Sequence, residues 1–228
     1  LYAMWAALMG VYHAQKTGEG DVIDVSQYES CLRVQGYGPL MYTTTGEQLK
    51  RTGNKEATYA GIDVFECKDG NYCVVQVSGR PAAKAIAALL GLDDEEHFIE
   101  GRPTLNGTPQ GDRLDGAIKA FCLERTPDEV ETQLKAIGVA CAPINNYEML
   151  MSNPHVIARN DFVEWYDEAS EQTLKGVAVL PPVKNNPGQI WRGAPKLGQD
   201  NEDILEELGY SNEEIEAMYA EGKIGKAE

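Results

Sequence analysis

Apolar residues fill most faces of the stretch from Leu1 to Lys16, which predicts a buried helix stopped after Thr17 by Gly18. The tight turn Thr17-Gly18-Glu19-Gly20 leads into Asp21-Val-Ile-Asp-Val25, short and β-branched, which predicts a strand. Ser26 then caps a second helix, with Glu29 three residues on to complete a capping box. Helix, glycine turn, strand, helix is an α/β pattern of the kind found at the edge of a doubly wound sheet. From Thr43 to Thr58 the chain turns polar and carries Gly46 and Gly53, so it reads as a linker or an exposed crossing segment.

The pattern then changes. Ile62 to Cys67 and Tyr72 to Val77 are apolar runs around Lys68-Asp69-Gly70-Asn71, and Asp-Gly between two such runs predicts a hairpin. Helices are predicted from Arg80 to Leu90, from Asp112 to Glu124, and after Thr126-Pro127-Asp128-Glu129. In the last of these Thr caps, Pro takes the first helical position and Glu closes the box. Val139 to Ile144 reads as a strand, so residues 59–144 form an α+β unit. Asn153-Pro154-His155 breaks the chain. Extended segments are predicted at Phe162 to Tyr166 and Leu174 to Leu180, a Pro/Gly loop from Pro181 to Gln199, and two short helices at Asp200 to Leu208 and Ser211 to Glu221. Trp191 is the only large apolar anchor of that loop, which predicts that it is buried. The resulting division is 1–42, linker 43–58, unit 59–144, linker and return 145–173, and C-terminal segment 174–228.

Composition narrows the function classes. Hydrophobic residues make up 43% and charged residues 25% of 228, an ordinary globular balance. Net charge is −16 and the pI about 4.6. Such a surface repels nucleic acid and anionic membranes, and neither is expected as a partner. An anionic ligand can bind only where local basic groups or a helix N-terminus override that field. Five cysteines without framework spacing read as reduced thiols of a cytoplasmic protein. No apolar run reaches the roughly 20 residues of a membrane span. The chain opens inside an apolar helical pattern with no cap before it, so a segment N-terminal to Leu1 is expected.

Candidate chemistry is sparse. Cys67 and Cys73 flank the hairpin turn, but no further ligands stand at zinc spacing, so they read as ordinary strand cysteines and no metal is expected. His13, His97 and His155 are scattered and form no catalytic constellation. Asp21, Asp24, Asp63 and Asp161 are carboxylates that nothing singles out as a nucleophile. Gly53-Asn54-Lys55 and Tyr59-Ala60-Gly61 are different, because glycines on a polar crossing segment let a ligand approach the backbone closely. Gly53, Asn54, Tyr59 and Gly61 are therefore the candidate substrate-binding residues. Trp191-Arg192 reads equally as an interface anchor and as a pair packed on its own domain.

Longer stretches carry a resemblance. They are Lys16 to Val25, Tyr59-Ala60-Gly61 ahead of the hairpin, Gly138 to Pro143, Ser152-Asn-Pro154 with Ala158-Arg159, and the tail from Val183 to Ile224. Together they resemble class III CoA-transferases over essentially the whole chain. Asn185-Asn-Pro-Gly-Gln-Ile-Trp-Arg-Gly193 is most similar to the carnitine branch. The resemblance implies an α/β fold with part of a Rossmann-like large domain (residues 1–42 and 174–228), a small α+β domain (59–144), and an interlocked-ring homodimer. It implies transfer of CoA between an acyl-CoA and a small carboxylic acid such as carnitine, with coenzyme A as part of the substrate. It also implies an aspartyl covalent intermediate whose aspartate lies before Leu1, so no catalytic residue maps onto this chain and the chain alone is expected to be inactive. Its first helix is then an exposed apolar surface when the chain is isolated. The consecutive glycines of the oxalate-type flap are absent from Gly53 to Gly61. A CoA-thioester racemase of the same fold, or a non-catalytic piece that needs its N-terminal half, remain alternatives.

Overall fold

The computed structural model describes residues 1–225. The first helix, α1 (Tyr2–Thr17), ends at Gly18, whose left-handed backbone (φ 79°) lets its N–H close on Ala14 O. The helix read as buried forms but is not buried within this chain: no residue of α1 is buried, and Met4, Trp5, Leu8, Met9, Val11 and Tyr12 all stand exposed, the apolar surface expected of the chain on its own. The strand expected at Asp21–Val25 is not formed. This stretch carries no ladder, Val22 is 94% exposed, and Asp21 accepts its neighbour's N–H instead. β-Branched residues favour extended backbone, but a strand also needs a partner for its N–H and C=O groups.

Helix α2 (Gln27–Arg33) starts where Ser26 accepts Glu29 N–H. Helix α3 (Gly38–Thr45) runs into the segment read as a linker. Thr43, Thr44 and Thr45 would disfavour a helix, but each hydroxyl donates back to the Leu40 or Met41 carbonyl one turn earlier, and Gly46 ends the helix in the left-handed region.

The hairpin forms as predicted. Strands β1 (Ile62–Glu66) and β2 (Tyr72–Gln76) pair antiparallel with Phe65 opposite Cys73. The turn closes by Gly70 N–H to Cys67 O, with Gly70 at φ 78°, and Asp69 accepts both the backbone and side-chain amides of Asn71. Helices α4 (Gly79–Leu89), α5 (Glu96–Glu100), α6 (Pro109–Leu123) and α7 (Pro127–Ala136) follow, then β3 (Ala140–Pro143) on the far side of β2. The full capping box of Thr126 and Glu129 is present on α7. One sheet face and the helices enclose a core of Phe65, Val75, Ile86, Ile118, Val130 and Leu134, with Cys67, Cys73, Cys122 and Cys141 inside it. The Cys67 and Cys73 sulfurs lie 3.6 Å apart and the Cys73 and Cys122 sulfurs 3.8 Å, and all five thiols are free. Burial pushes the Cys67 thiol up to about 12. Hydrogen bonding to Cys73 and burial push Cys122 and Cys141 upward as well.

The chain divides into two units, Leu1–Ile144 and the remainder from Asn145. In the second, the expected break at Asn153-Pro154 is instead a junction of two short helices, α8 (Tyr147–Ser152) and α9 (Pro154–Arg159). Asn146 and Asn153 cap them, and Pro154 sits at the first helical position, where its missing N–H costs nothing. Strands β4 (Phe162–Asp167) and β5 (Gln172–Val177) form a two-stranded antiparallel ribbon. Helices α10 (Asn201–Glu207) and α11 (Asn212–Ala220) come last, the latter with the predicted Ser211–Glu214 box.

Trp191 overturns its prediction: it is 79% exposed. The Pro/Gly loop is held by polar contacts instead. Asp167, 5% exposed, accepts Ala194 N–H at 2.8 Å, Ser170 Oγ at 2.6 Å and Ser170 N–H at 3.0 Å. A side chain on Gly193 would collide with that carboxylate. Arg192 pairs with Asp200 through two bonds of 2.7 Å, its guanidinium 4.6 Å from the Trp191 ring centre.

Two outcomes follow from this packing. Native protein treated with a thiol reagent should lose Cys31, the exposed thiol, quickly, while the four core thiols react only on unfolding; rapid reaction of more than one thiol would contradict the packed core. The hydroxyl and N–H of Ser170, with Ala194 N–H, hold the Asp167 carboxyl below the usual carboxylate range. A depressed native pKa contributes stability above the unfolded value of about 3.9 and loses it as pH falls through the native value. Asp167→Asn should therefore flatten the acid limb of the stability curve, measured by urea midpoints from pH 7 downward.

Candidate functional site

The segment from Lys55 to Gly61 is held rather than flexible. The Asp115 carboxylate on α6 accepts Lys55 Nζ at 2.5 Å and Gly61 N–H at 2.7 Å. Glu56 accepts the N–H groups of Thr58 and Tyr59 and the hydroxyl of Tyr37. Its own backbone donates to Ile62 O at 2.9 Å, and its carbonyl accepts Asn106 Nδ2 at 2.7 Å. Ala60 N–H bonds Thr104 O at 2.9 Å, and Tyr59 bridges to Leu105. Gly61 has φ 78°, and a Cβ there would lie 2.9 Å from Val77 Cγ2 and 3.1 Å from Leu114. Only glycine fits both the backbone and the space.

This clamp forms one wall of a cavity of about 410 Å³ within the first unit. Tyr59, Ala60 and Ile62 come from the clamped segment, Val77 to Arg80 from the end of β2 and the start of α4, and Gly101 to Thr104 from the turn after α5. Ala83 and Leu114 complete the apolar surface. That size and an apolar lining with a few polar groups suit a small organic ligand. Ser78, the N-cap of α4, makes no side-chain capping bond. Thr104 Oγ1 lies 2.9 Å from His97 Nε2, which gives His97 a place behind the cavity wall.

Electrostatics at the mouth are uneven. Arg102 is bound by Glu100 at 2.6 Å and Glu96 at 3.1 Å. Arg80 donates Nε to the Glu100 carbonyl at 2.7 Å, and neither Arg80 nor Lys84 takes part in an ion pair among the described residues. A Cβ on Gly101 would meet Arg80 O and Lys84 Cγ, each at 2.7 Å, so these side chains pack closely around that turn.

The candidate residues separate. Tyr59 lines the cavity, and Gly61 lies just behind its wall. Gly53 and Asn54 are on an exposed turn and do not reach it. Asp63 accepts Val64 N–H, Asp161 lies 3.6 Å from Arg159, and Asp24 lines a shallow groove beside α1. None of the four aspartates considered from sequence reaches the cavity. Sequence reasoning missed Arg80, Thr104 and Asp115. Their partners lie 20 or more residues away for Arg80 and Asp115, and no local motif joins them. Among the described residues no group of three or more His, Cys, Asp or Glu side chains is placed to hold a metal, and no helix is long and apolar enough to cross a membrane.

The family described as CoA-transferase family III matches residues 1–201, and the chain belongs to it. Among its relatives is the bile acid CoA-transferase BaiK of Clostridium scindens (strain JCM 10418 / VPI 12708), 35% identical over 229 residues that cover 97% of this chain and 52% of that protein. The chain thus spans about half the length of that curated relative. A CAIB/BAIF family protein from Brucella suis has a similar fold, with TM-score 0.69 and 22% identity over 91% of this chain and 53% of its own. The Mycobacterium tuberculosis protein Rv3272 in its orthorhombic form follows at TM-score 0.62 and 16% identity, over 87% of this chain and 51% of its own.

If Asp115 holds the wall, Asp115→Ala should destabilise the chain by about 1–3 kcal/mol, because two donors lose their acceptor. Gly61→Ala should cost a similar amount through left-handed strain and the contacts at Val77 and Leu114. Denaturant midpoints unchanged in both variants would show that the segment is not clamped.

Proposed function

We propose that the protein containing this chain transfers CoA between an acyl-CoA thioester and a carboxylic acid. The observation that carries this is the match to CoA-transferase family III over residues 1–201, joined to 35% identity with a bile acid CoA-transferase across nearly the whole chain. The proposed route is covalent. An aspartate carboxylate attacks the thioester carbonyl and expels CoA as thiolate, giving a mixed anhydride. The thiolate attacks the aspartyl carbonyl, which forms an aspartyl-CoA thioester and frees the first acid. The incoming carboxylate repeats the exchange in reverse order and leaves as the new acyl-CoA, with the aspartate restored. Covalent steps keep the activated acyl group away from water.

We place that aspartate outside these 228 residues. This chain contributes the substrate wall: Tyr59 and Gly61 at the cavity, with Gly53 and Asn54 on the exposed turn ahead of them. The exposed apolar face of α1 supports docking against the rest of the protein and an interlocked homodimer, since an uncovered apolar surface of that extent favours association. Five free thiols are compatible with a reducing, cytoplasmic setting. Two acceptor acids are in view: carnitine, from the tail Asn185 to Gly193, and a bile acid, from the activity named for BaiK.

The test is an exchange assay of the whole protein with acyl-CoA and either carnitine or cholate, with hydroxylamine added to trap the enzyme-bound acyl species. Turnover with one of these acids, and trapping on an aspartate outside this chain, is the expected result; the isolated chain should show no turnover. Trapping on Asp21, Asp24, Asp63 or Asp161 would place the nucleophile here instead, and no exchange with either acid would remove the proposed substrate class.

A further inference from the structure

We infer that the cavity bounded by Tyr59, Val77 and Leu114 is a binding site for a monocarboxylate with an apolar body, held through Arg80. The inference rests on reading this cavity as the substrate site, but the binding it describes belongs to this chain and needs no CoA.

Two independent features converge. The first is the cavity, whose inner surface is largely apolar and would take a hydrocarbon body away from water. The second is charge. In a chain of net charge −16, an arginine that forms no direct ion pair among the described residues, and is felt by the Glu100 carboxylate only through space, stands at the mouth of an apolar cavity where a ligand anion would satisfy it. The Nε bond to the Glu100 carbonyl fixes the guanidinium plane and leaves both terminal nitrogens free. Two parallel donors in one plane match the two oxygens of a carboxylate. Arg102, on the same rim, is already taken up by Glu96 and Glu100 and has no such capacity to spare.

The same reasoning selects against other anions. A polyphosphate would bring several charges to one guanidinium inside a strongly negative field, with Lys84 as the only other unpaired cation beside the Gly101 turn. A small inorganic anion would leave the apolar interior unfilled. A single carboxylate on a hydrocarbon body uses both features.

The test is titration of the full 228-residue chain with sodium octanoate and, separately, octanamide, followed by amide NMR. Octanoate should move the Gly79, Gly101 and Thr104 signals at sub-millimolar concentration, and the uncharged amide should bind about tenfold more weakly. Arg80→Gln should bring octanoate down to the level of the amide. Lys119→Gln, at an exposed cation of α6 outside the cavity lining, should leave octanoate affinity within about twofold. Ala83→Leu, which narrows the apolar interior, should weaken both ligands. Equal binding of acid and amide, or an Arg80→Gln variant that binds octanoate normally, would overturn the role of Arg80. Shifts confined to α1, or no shifts in a chain whose four core thiols remain protected, would overturn the site itself. None of these readouts depends on CoA exchange, so a failure here and a failure of the transferase assay are distinguishable.

Discussion

The carboxylate of Asp115 fixes the geometry on which the first unit depends. It draws Lys55 Nζ and Gly61 N–H to one point on α6, and so sets where the polar crossing ends and the hairpin begins. From that point β1 runs out with Ile62 opposite Gln76, and Val77 returns against Gly61. The cavity exists because this segment is stiff. Asp115 shares the task of stiffening it with the bonds of Glu56 and with Ala60 N–H to Thr104 O, which together fix the wall formed by Tyr59, Ala60 and Ile62.

Beneath the clamp, packing follows ordinary rules. Core thiols serve as small apolar groups around the β2 strand, and their burial, 8% exposed or less, keeps reagents away from them. The chain's strong negative charge stays on the surface. Against that field, Arg80, Lys84 and Arg102 stand close together around the Gly101 turn.

The second unit solves its loop problem with polar groups. In the stretch around Trp191 a nearly buried Asp167 and a bidentate Arg192–Asp200 pair do the anchoring, while the indole stays exposed. The tryptophan then lies over the arginine and remains open to contact, as does α1 in the first unit.

Much of the local structure was legible in the sequence. Asp69-Gly70 specified its hairpin, and Thr126–Glu129 and Ser211–Glu214 specified their helix starts, because a turn or a cap is decided by residues within four positions of each other. The family was legible too, from stretches such as Asn185 to Gly193 and Tyr59 to Gly61. What sequence alone could not decide involved partners far along the chain. Asp21–Val25 has strand composition but no ladder, the threonines ending α3 are helical because their hydroxyls bond back into the turn before, and Trp191 is exposed because the loop is held by carboxylates. The cavity belongs to the same class. Tyr59, Arg80, Thr104 and Leu114 share no motif and come together through contacts that only tertiary folding makes: Asp115 reaching back 54 residues to Gly61, Ala60 bonding Thr104, and Arg80 bonding Glu100.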